Sequence, residues 1–534
     1  MKKLIYISAL TVLMFTVTSC MDNDPISTVD KNEFFKTPGD LKAALIGCYN
    51  GLQGSMFYEW QLTELRTDNS RIRTTGSTSS NTIALMQFDR AMIGSDHERV
   101  YKYWVASYAT IGRCNEVLLE DHISIITDSI VRRQTKGQAQ FLRAYNYFNL
   151  VRLFGPVFLI DTPLSAAEAK KQPRIPTGEI YAFIEDDLKL AIDSLPYAYS
   201  DAGDKGRVTR WAAKAMLAKV YLTQQRFTDA ETILAELVEG AGVTRYRFNI
   251  NDISYDKIFS EDNEMNPEIL FAVRYKQGGL GLGNLFGNQF APSSSGEWVI
   301  NGDGDEYNYP TREVARAFTE TYRNADGDIV ELLDDAPNPF TDKRKDVTMK
   351  EYYTNPTISV PRVERQYCCK YISPVIQKYD GERDWPVLRW ADVILMYAEV
   401  LNEINGPTQK VYNLINQTRT RAGYSIKVEE KMRDFEYIGQ TITRNMVRLE
   451  IELERRREFA FENQRWFDLV RTNRAIEVMN RHYQTEPNEP NSTVPMYYED
   501  INSGVPTLEP KYLILPIPQK ERDANPNISQ NPGY

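Results

Sequence analysis

Residues 209–239 constrain the fold more than any other stretch of this chain. They read as two short helices and a tight turn, TRWAAKAMLAKVYLTQQ followed by RFTDAETILAELVE. Thr228 and Glu231 have the spacing of a capping box, and Gly240 supplies a C-terminal stop. Ala212, Ala215 and Ala218 keep one face small, so a partner helix can approach closely. Residues 390–422 repeat the format, with Asn405-Gly406-Pro407 as the break. Single helices carry the same signature. In 37–53, Leu41, Ala44, Leu45, Cys48, Tyr49 and Leu52 form one stripe, Thr37 can cap, and Pro38 suits the first turn. Residues 136–154 stripe through Phe141, Leu142, Tyr145, Phe148 and Val151 and stop at Gly155-Pro156. Residues 178–195 stripe through Ile180, Phe183, Ile184, Leu188 and Ile192, with Thr177 as the cap. A helix with one apolar stripe must bury it against another helix, so this pattern predicts a mainly α chain of stacked helix pairs.

A helix–turn–helix of about 34 residues resembles a tetratricopeptide unit, and stacking such units gives a right-handed superhelix. The remainder differs in character. Residues 54–100 and 271–385 interleave Gly, Ser, Asn and Asp with aromatics and read as loop-like. Ile269 to Tyr275 alternates like a short strand, and the tail from 481 is rich in Pro and Asn. The expected organisation is a signal segment at 1–19, a tether at 20–36 and one domain over 37–534. Its helical scaffold covers about 37–53, 100–270 and 386–480, and its loop-rich, minor-β ligand region about 54–99, 271–385 and 481–534.

The N-terminus carries Lys2 and Lys3, then an apolar run from Leu4 to Val17, then Thr18, Ser19 and Cys20. That is a secretory signal peptide, too short to span a bilayer as a mature helix. A Cys directly after small residues reads as a lipobox, which makes Cys20 the lipid-bearing first residue. The motif lacks the usual Leu at −3, and an ordinary signal peptide is the alternative. The formal charge of −10 argues against nucleic acid as a partner. Three histidines make a multi-histidine metal site or a histidine-based triad improbable, and five cysteines are too few for a disulfide scaffold. Cys48 and Cys114 sit among apolar helical residues and read as core. Adjacent Cys368 and Cys369 are either a vicinal disulfide or two free thiols.

Three features invite a chemical reading. Glu450, Glu452, Glu454, Glu458 and Glu462 alternate with Arg455, Arg456, Arg457, Arg465 and Arg471, and paired carboxylates can do general acid–base work. Packed among Phe459, Phe461, Trp466 and Phe467, with Glu458, Glu462 and Arg465 expected on one helix face, they read better as a partly buried ion network. Arg389 and Glu399 read the same way. Gly278 to Gly283 is glycine-rich but lacks a Walker Lys-Ser/Thr, and reads as a flexible loop. Asp303-Gly304-Asp305-Glu306 and Asp326-Gly327-Asp328 hint at structural calcium without completing a calcium loop; they read as solvated acidic turns. No cofactor and no catalytic residue is expected.

The binding chemistry that the sequence does suggest is aromatic. Trp and Tyr offer a rigid π face and a polar tip at low entropic cost, which suits the apolar face and hydroxyl rim of a sugar. The candidates are Tyr58, Trp60, Arg71 and Arg73 in 54–100, and Trp298, Asn301, Asp303, Tyr307 and Tyr309 in 297–310. Tyr352, Tyr353 and Tyr367 form a third cluster. Trp298, between Ser293-Ser294-Ser295-Gly296 and Asn301-Gly302, is the foremost candidate; packing of each loop onto the scaffold is the alternative role for every one of these rings.

Several segments resemble the signature stretches of the SusD/RagB family of outer-membrane nutrient-binding lipoproteins. They are KGQAQFLRAYNYFNLVRLFGPV at 136–157, GRVTRWAAKAMLAKVYL at 206–222 and WPVLRWADVILMYAEVLNE at 385–403. INQTRTRAGY at 415–424, LERRREFAFENQRWFDLVR at 453–471, YLILPIP at 512–518 and NPNISQNPGY at 525–534 complete the series in the family's order. Met21-Asp22-Asn23-Asp24-Pro25 resembles the acidic export signal of surface lipoproteins in the Bacteroidetes. The resemblance implies four tetratricopeptide-like helix pairs, a less regular half carrying the ligand site, and a lipid-anchored position on the outer face of the outer membrane. It implies a SusC-like TonB-dependent transporter as partner, and a glycan, or in some members a peptide, as ligand. A surface glycoside hydrolase or peptidase, and a pure protein-interaction scaffold, are the competing readings.

Overall fold

The computed structural model describes residues 34–72, 79–292, 304–319, 321–323, 329–331, 341–354, 362–437, 441–486 and 506–534. Its longer helices are α1 (Pro38–Thr63), α2 (Ser80–Asp89), α3 (Glu98–Leu118), α4 (Ser129–Phe154), α5 (Thr177–Ser194), α6 (Arg210–Thr223) and α7 (Phe227–Glu239). They continue with α8 (Trp390–Asn405), α9 (Gln409–Ala422), α10 (Val428–Tyr437), α11 (Arg444–Phe459), α12 (Arg465–Arg471) and α13 (Ala475–Thr485). Helix packs on helix in chain order: α1 on α3, α3 on α4, α4 on α5, α5 on α6, α6 on α7, α7 on α8 and α8 on α9. The result is the predicted stack of four helix pairs.

Local chemistry explains most boundaries. Thr37 and Asp40 close a reciprocal capping box at the start of α1, with Asp40 Oδ2 accepting the Thr37 N–H at 2.7 Å. Gly155 ends α4 at φ 71°, and Gly406 ends α8 at φ 76°. Three expectations differ from the outcome. Thr177 does not cap α5: it is already the first helical residue, and Pro176 takes the N-cap position. α1 does not stop near Gln53 but continues to Thr63, because Leu52, Met56 and Trp60 extend its apolar stripe into the core. Thr228 does not cap α7. That helix starts at Phe227, Arg226 at the N-cap position pairs with Asp229 instead, and Thr228 is already inside the first turn.

The strands are short and antiparallel. Ser70–Arg71 pairs with Tyr309–Pro310, Val157–Phe158 with Arg174–Ile175, and Met349–Thr354 with Arg362–Cys368. Ile269–Val273 pairs with Trp385–Arg389, whose last residue leads straight into α8. This last pair is buried and places Trp385 flat on Tyr371, with ring centroids 4.1 Å apart. Cys368 and Cys369 are free and buried, and the Cys369 thiol donates to the Val347 carbonyl at 3.3 Å. Residues 506–534 fold back on the scaffold: the Leu515 N–H donates to Leu153 O at 2.6 Å, and Asn531 donates to Phe154 O at 2.8 Å.

The charged segment does form the expected ion network, but not on one helix face. α11 ends at Phe459, and Phe461 and Asn463 take φ of 65° and 60° before α12 begins. The reversal turns Glu462 back toward Glu458. Arg389 donates to Glu462 Oε2 at 2.7 Å and to Glu268 Oε1 and Glu458 Oε1 at 2.9 Å each. Arg344 reaches Glu454 at 2.8 Å and Glu458 at 2.9 Å, while Lys370 donates to Glu462 at 2.8 Å. All these side chains are buried. Burial alone would raise the Glu458 carboxyl, but Arg421, Arg389 and Arg344 outweigh it and hold it well below the usual range. A second set links α6, α8, α11 and α12: Arg455 joins Asp392 and Asp468 at 2.8 Å each, and Lys219 donates to Asp392 at 2.8 Å.

Three other buried carboxyls go the opposite way. Burial raises Glu59 to about 7, Glu64 to about 8 and Asp89 to about 7, against too little compensating charge. The fold therefore favours their neutral form. That contribution is complete below the ordinary value of 4.5 for Glu64 and is lost as pH rises toward its folded value of about 8.

Two measurements follow. Glu458→Gln leaves Arg344, Arg389 and Arg421 facing a neutral group, and should cost about 3–5 kcal/mol in urea unfolding, while exposed Glu477→Gln should cost less than about 0.5 kcal/mol. Glu64→Gln should flatten the fall in thermal stability between about pH 5 and pH 8, and exceed wild type at the upper end by on the order of 1–2 kcal/mol.

Candidate ligand-binding site

The described parts of 54–100 and 297–310 lie far apart in sequence but meet in space at Ser70–Arg71 and Tyr309–Pro310. Ser70 and Arg71 pair with Pro310 and Tyr309 as an antiparallel two-stranded ribbon. Ser70 Oγ donates to Asn308 Oδ1 at 2.6 Å, and Thr311 Oγ1 donates to the Asp68 carbonyl at 2.6 Å. Asp68 is itself held by Arg465 at 2.8 Å, so the ribbon is tied to α12. Three of the candidate residues spend themselves on this junction. Trp60 is fully buried, edge-on to Phe290 with centroids 5.0 Å apart. The buried Arg71 guanidinium lies 5.0 Å over the ring of Tyr309, which is also buried, and 3.8 Å from Glu486. As placed, they support the site from beneath.

Tyr58 and Tyr307 remain half-buried at the surface above this junction. Asn81, in the first turn of α2, links Tyr307 to Arg99. Its amide donates to the Tyr307 hydroxyl, and its carbonyl oxygen accepts from Arg99. Arg99 also donates to Gln61 Oε1 at 2.5 Å. Burial lowers the Arg99 guanidinium, and the neighbouring Tyr58 and Tyr307 phenols act in the opposite sense. Both phenols are raised, chiefly by burial. Phe57 meets Tyr58 edge-on at 4.5 Å. Phe57, Tyr58, Asn81 and Arg99, together with Gln87, His97 and Lys102, bound a cleft of about 430 Å³, which Tyr307 adjoins only through Asn81. Its walls combine aromatic edges with amide and guanidinium donors, the mixture that recognises a hydroxyl-rich ring.

The third aromatic cluster adjoins the same loop. Tyr353 and Tyr367 are buried against each other, and Tyr352 is 47 % exposed. Arg365 donates to the Tyr353 hydroxyl at 3.4 Å and pairs with Glu306 at 2.6 Å, one residue before Tyr307. Trp298, Asn301, Asp303 and Arg73 lie outside the described residues, as do Asp326 to Asp328 and Cys20. Phe57, Asn81 and Arg99 did not stand out in the sequence. They sit in helical segments, and polar or aromatic residues on a helix carry no mark of facing a cleft.

The other chemical candidates are occupied by the protein itself. In the glycine-rich loop, the Gly278 and Gly279 N–H groups donate to Asp380 Oδ2 at 2.7 and 2.8 Å. Asp305 accepts from the Tyr379 hydroxyl at 3.0 Å, and Glu306 holds Arg365. Glu313, His482 and Glu486 bring ligand atoms within 4.8 Å of one another. Arg71 stands beside Glu486, and the Arg312 N–H donates to it at 2.8 Å, so positive charge already occupies that node.

Comparison with known proteins agrees with this architecture. A family model described as "SusD family" matches residues 366–534, and one described as "Starch-binding associating with outer membrane" matches residues 23–222. SusD-like protein P2 of Formosa agariphila is 28% identical over 536 residues, covering 98% of each chain. Starch-binding protein SusD of Bacteroides thetaiotaomicron is 25% identical, covering 78% of this chain and 75% of its own. Among solved structures, a laminarin-binding SusD-like protein superposes with a TM-score of 0.69 at 23% identity, covering 93% of this chain and all of the other. A SusD-like protein from Bacteroides fragilis gives 0.72 at 22% identity, covering 95% and 99% of the two chains. Matched at both ends by these models and aligned nearly end to end with its relatives, the chain belongs to the SusD-like family of starch- and glycan-binding proteins that associate with the outer membrane.

Proposed function

We propose that this chain captures an oligo- or polysaccharide at the cell surface and passes it to a SusC-like TonB-dependent transporter in the outer membrane, with lipid on Cys20 as its anchor. The placement of Phe57 and Tyr58 beside the Asn81–Arg99 pair carries the reading. Phe57 and Tyr58 supply two partly exposed aromatic rings, and Asn81 and Arg99 supply fixed polar groups, on one open cleft, with Tyr307 holding Asn81. Family membership supports the glycan as ligand class and the transporter as recipient, and the laminarin-binding neighbour makes a β-glucan a sensible first probe.

The same geometry favours capture over hydrolysis. A glycosidase needs a carboxyl raised enough to donate a proton, set beside a second carboxylate across the scissile bond. At this cleft the Glu98 carboxyl is lowered by its hydrogen bond to Lys520. Among the raised carboxyls, Glu264 and Asp384, raised by burial to about 7 and about 6, are both paired with Arg274, and Glu59 faces only a void of about 20 Å³, too small for a sugar. Glu64 accepts from the Asn463 N–H at 2.6 Å, and Asp89 from the Ile72 N–H at 3.1 Å, both inside the core. Capture of this kind needs no cofactor.

The test is a binding screen of the mature chain, residues 21–534, against soluble polysaccharides and peptides, followed for breakdown products. A polysaccharide should bind and remain intact. Asn81→Ala, which removes a hydrogen-bond partner from both Arg99 and Tyr307, should weaken binding about tenfold, and Trp298→Ala about 2- to 10-fold through lost stacking. Release of reducing ends would overturn the non-enzymatic reading, and exclusive peptide binding would replace the glycan.

A further inference from the structure

The cleft beside Tyr58 is one end of a longer feature. α1 and α3 run antiparallel, with Gly47 opposite Arg113, Gly51 opposite Thr110 and Gly54 opposite Ala106. A side chain at Gly51 would come within 2.5 Å of Thr110 Oγ1, so the Thr110 side chain packs into the space that glycine leaves on α1. Above this close approach lies a second cleft of about 430 Å³. Its floor is small, with Gly54, Ala106 and exposed Ala109, and its polar edges are Asn50, Gln53 and Arg113. One wall is the loop from Gly281 to Phe286, held in place by reciprocal Asn284 and Gly381 backbone hydrogen bonds of 2.8 Å. Phe57 and Tyr58 line both clefts, so the aromatic pair forms a ridge between two halves of one trough.

We propose that this trough along the α1–α3 groove is an extended binding subsite for a linear, uncharged polysaccharide, resting on the glycan-capture reading above. From Arg99 to Arg113 the trough follows α3 for about 20 Å at 1.5 Å per residue, long enough to hold several sugar rings in a row. The ridge presents aromatic edges at its midpoint, and amide and hydroxyl groups line its sides. Charge is nearly balanced along it: Asp96 and Glu98 stand against Arg99, Lys102 and Arg113, with Lys102 3.8 Å from Glu98. Such a lining offers no concentrated positive patch for a polyanion. A flat floor of small residues admits a chain that continues in both directions, where a closed pocket would admit only its end.

The experiment uses size-graded oligosaccharides of the polysaccharide that binds most tightly in the screen. For wild type, affinity should rise with chain length until the chain spans both clefts. Ala109→Trp fills the exposed floor of the second cleft without entering the core. It should lower affinity for long chains about tenfold, to the level of short ones, while short oligosaccharides bind Ala109→Trp and wild type alike. Asn50→Ala should show the same selective loss to a smaller degree. Equal binding of long chains by wild type and Ala109→Trp would overturn the extended subsite alone. Preference for a polyuronate over every neutral chain would overturn its uncharged ligand. No glycan binding by wild type would overturn the capture reading and this subsite together.

Discussion

Glu458 accepts hydrogen bonds from Arg344, Arg389 and Arg421 in the middle of the protein, and the arrangement of everything around it depends on that meeting. The three arginines come from the loop before the long hairpin, from the strand that feeds α8, and from the end of α9. Each charge would be costly if buried alone, and each is compensated only when all the segments are in register. Glu462 adds Lys370 and a second grip on Arg389 because the chain reverses at Phe461 and Asn463. The network thus sets the loop-rich half on the helical half in one position. Apolar packing supplies most of the stability, but it is tolerant of small shifts, whereas hydrogen-bonded charges in fixed geometry are not.

That fixed position matters for binding. Tyr58 and Phe57 belong to α1, Asn81 to α2, Arg99 to α3 and Tyr307 to a loop. Their separation is set by the ribbon of Ser70–Arg71 on Tyr309–Pro310, which the Asp68–Arg465 pair ties to α12. A surface prepared in this way spends little entropy when a ligand settles on it. The buried Trp60, Arg71 and Tyr309 serve that preparation, one layer below the rings a ligand would meet.

The stack of helix pairs was legible because its information is local. Leu41, Leu45, Cys48 and Leu52 announce a stripe by their spacing, and Gly155 or Asn405-Gly406-Pro407 announce its end through backbone constraints that act within a few residues. The identity of 453–471 as a packed ion network was legible for a related reason, since that many charges among Phe459, Trp466 and Phe467 must be paired to be buried. Aromatic residues in polar stretches singled out 54–100 and 297–310, and the two stretches do pair, at Ser70–Arg71 and Tyr309–Pro310.

What only the tertiary structure decided is which side of each stretch faces outward. Trp60 and Tyr58 are two residues apart on one helix; one is sealed against Phe290 and the other left half-open, because a step of two on an α-helix turns the side chain to nearly the opposite face. Which face is inner depends on where α3 and Tyr309 lie, and these are partners from elsewhere in the chain. Asn81 and Arg99 gain their roles the same way, by meeting Tyr307 across more than 200 residues. Spacing along the sequence determined that helices form and pair; contacts between remote segments decided which side chains became core and which became surface, because burial is a property of the assembled chain and not of any residue in it.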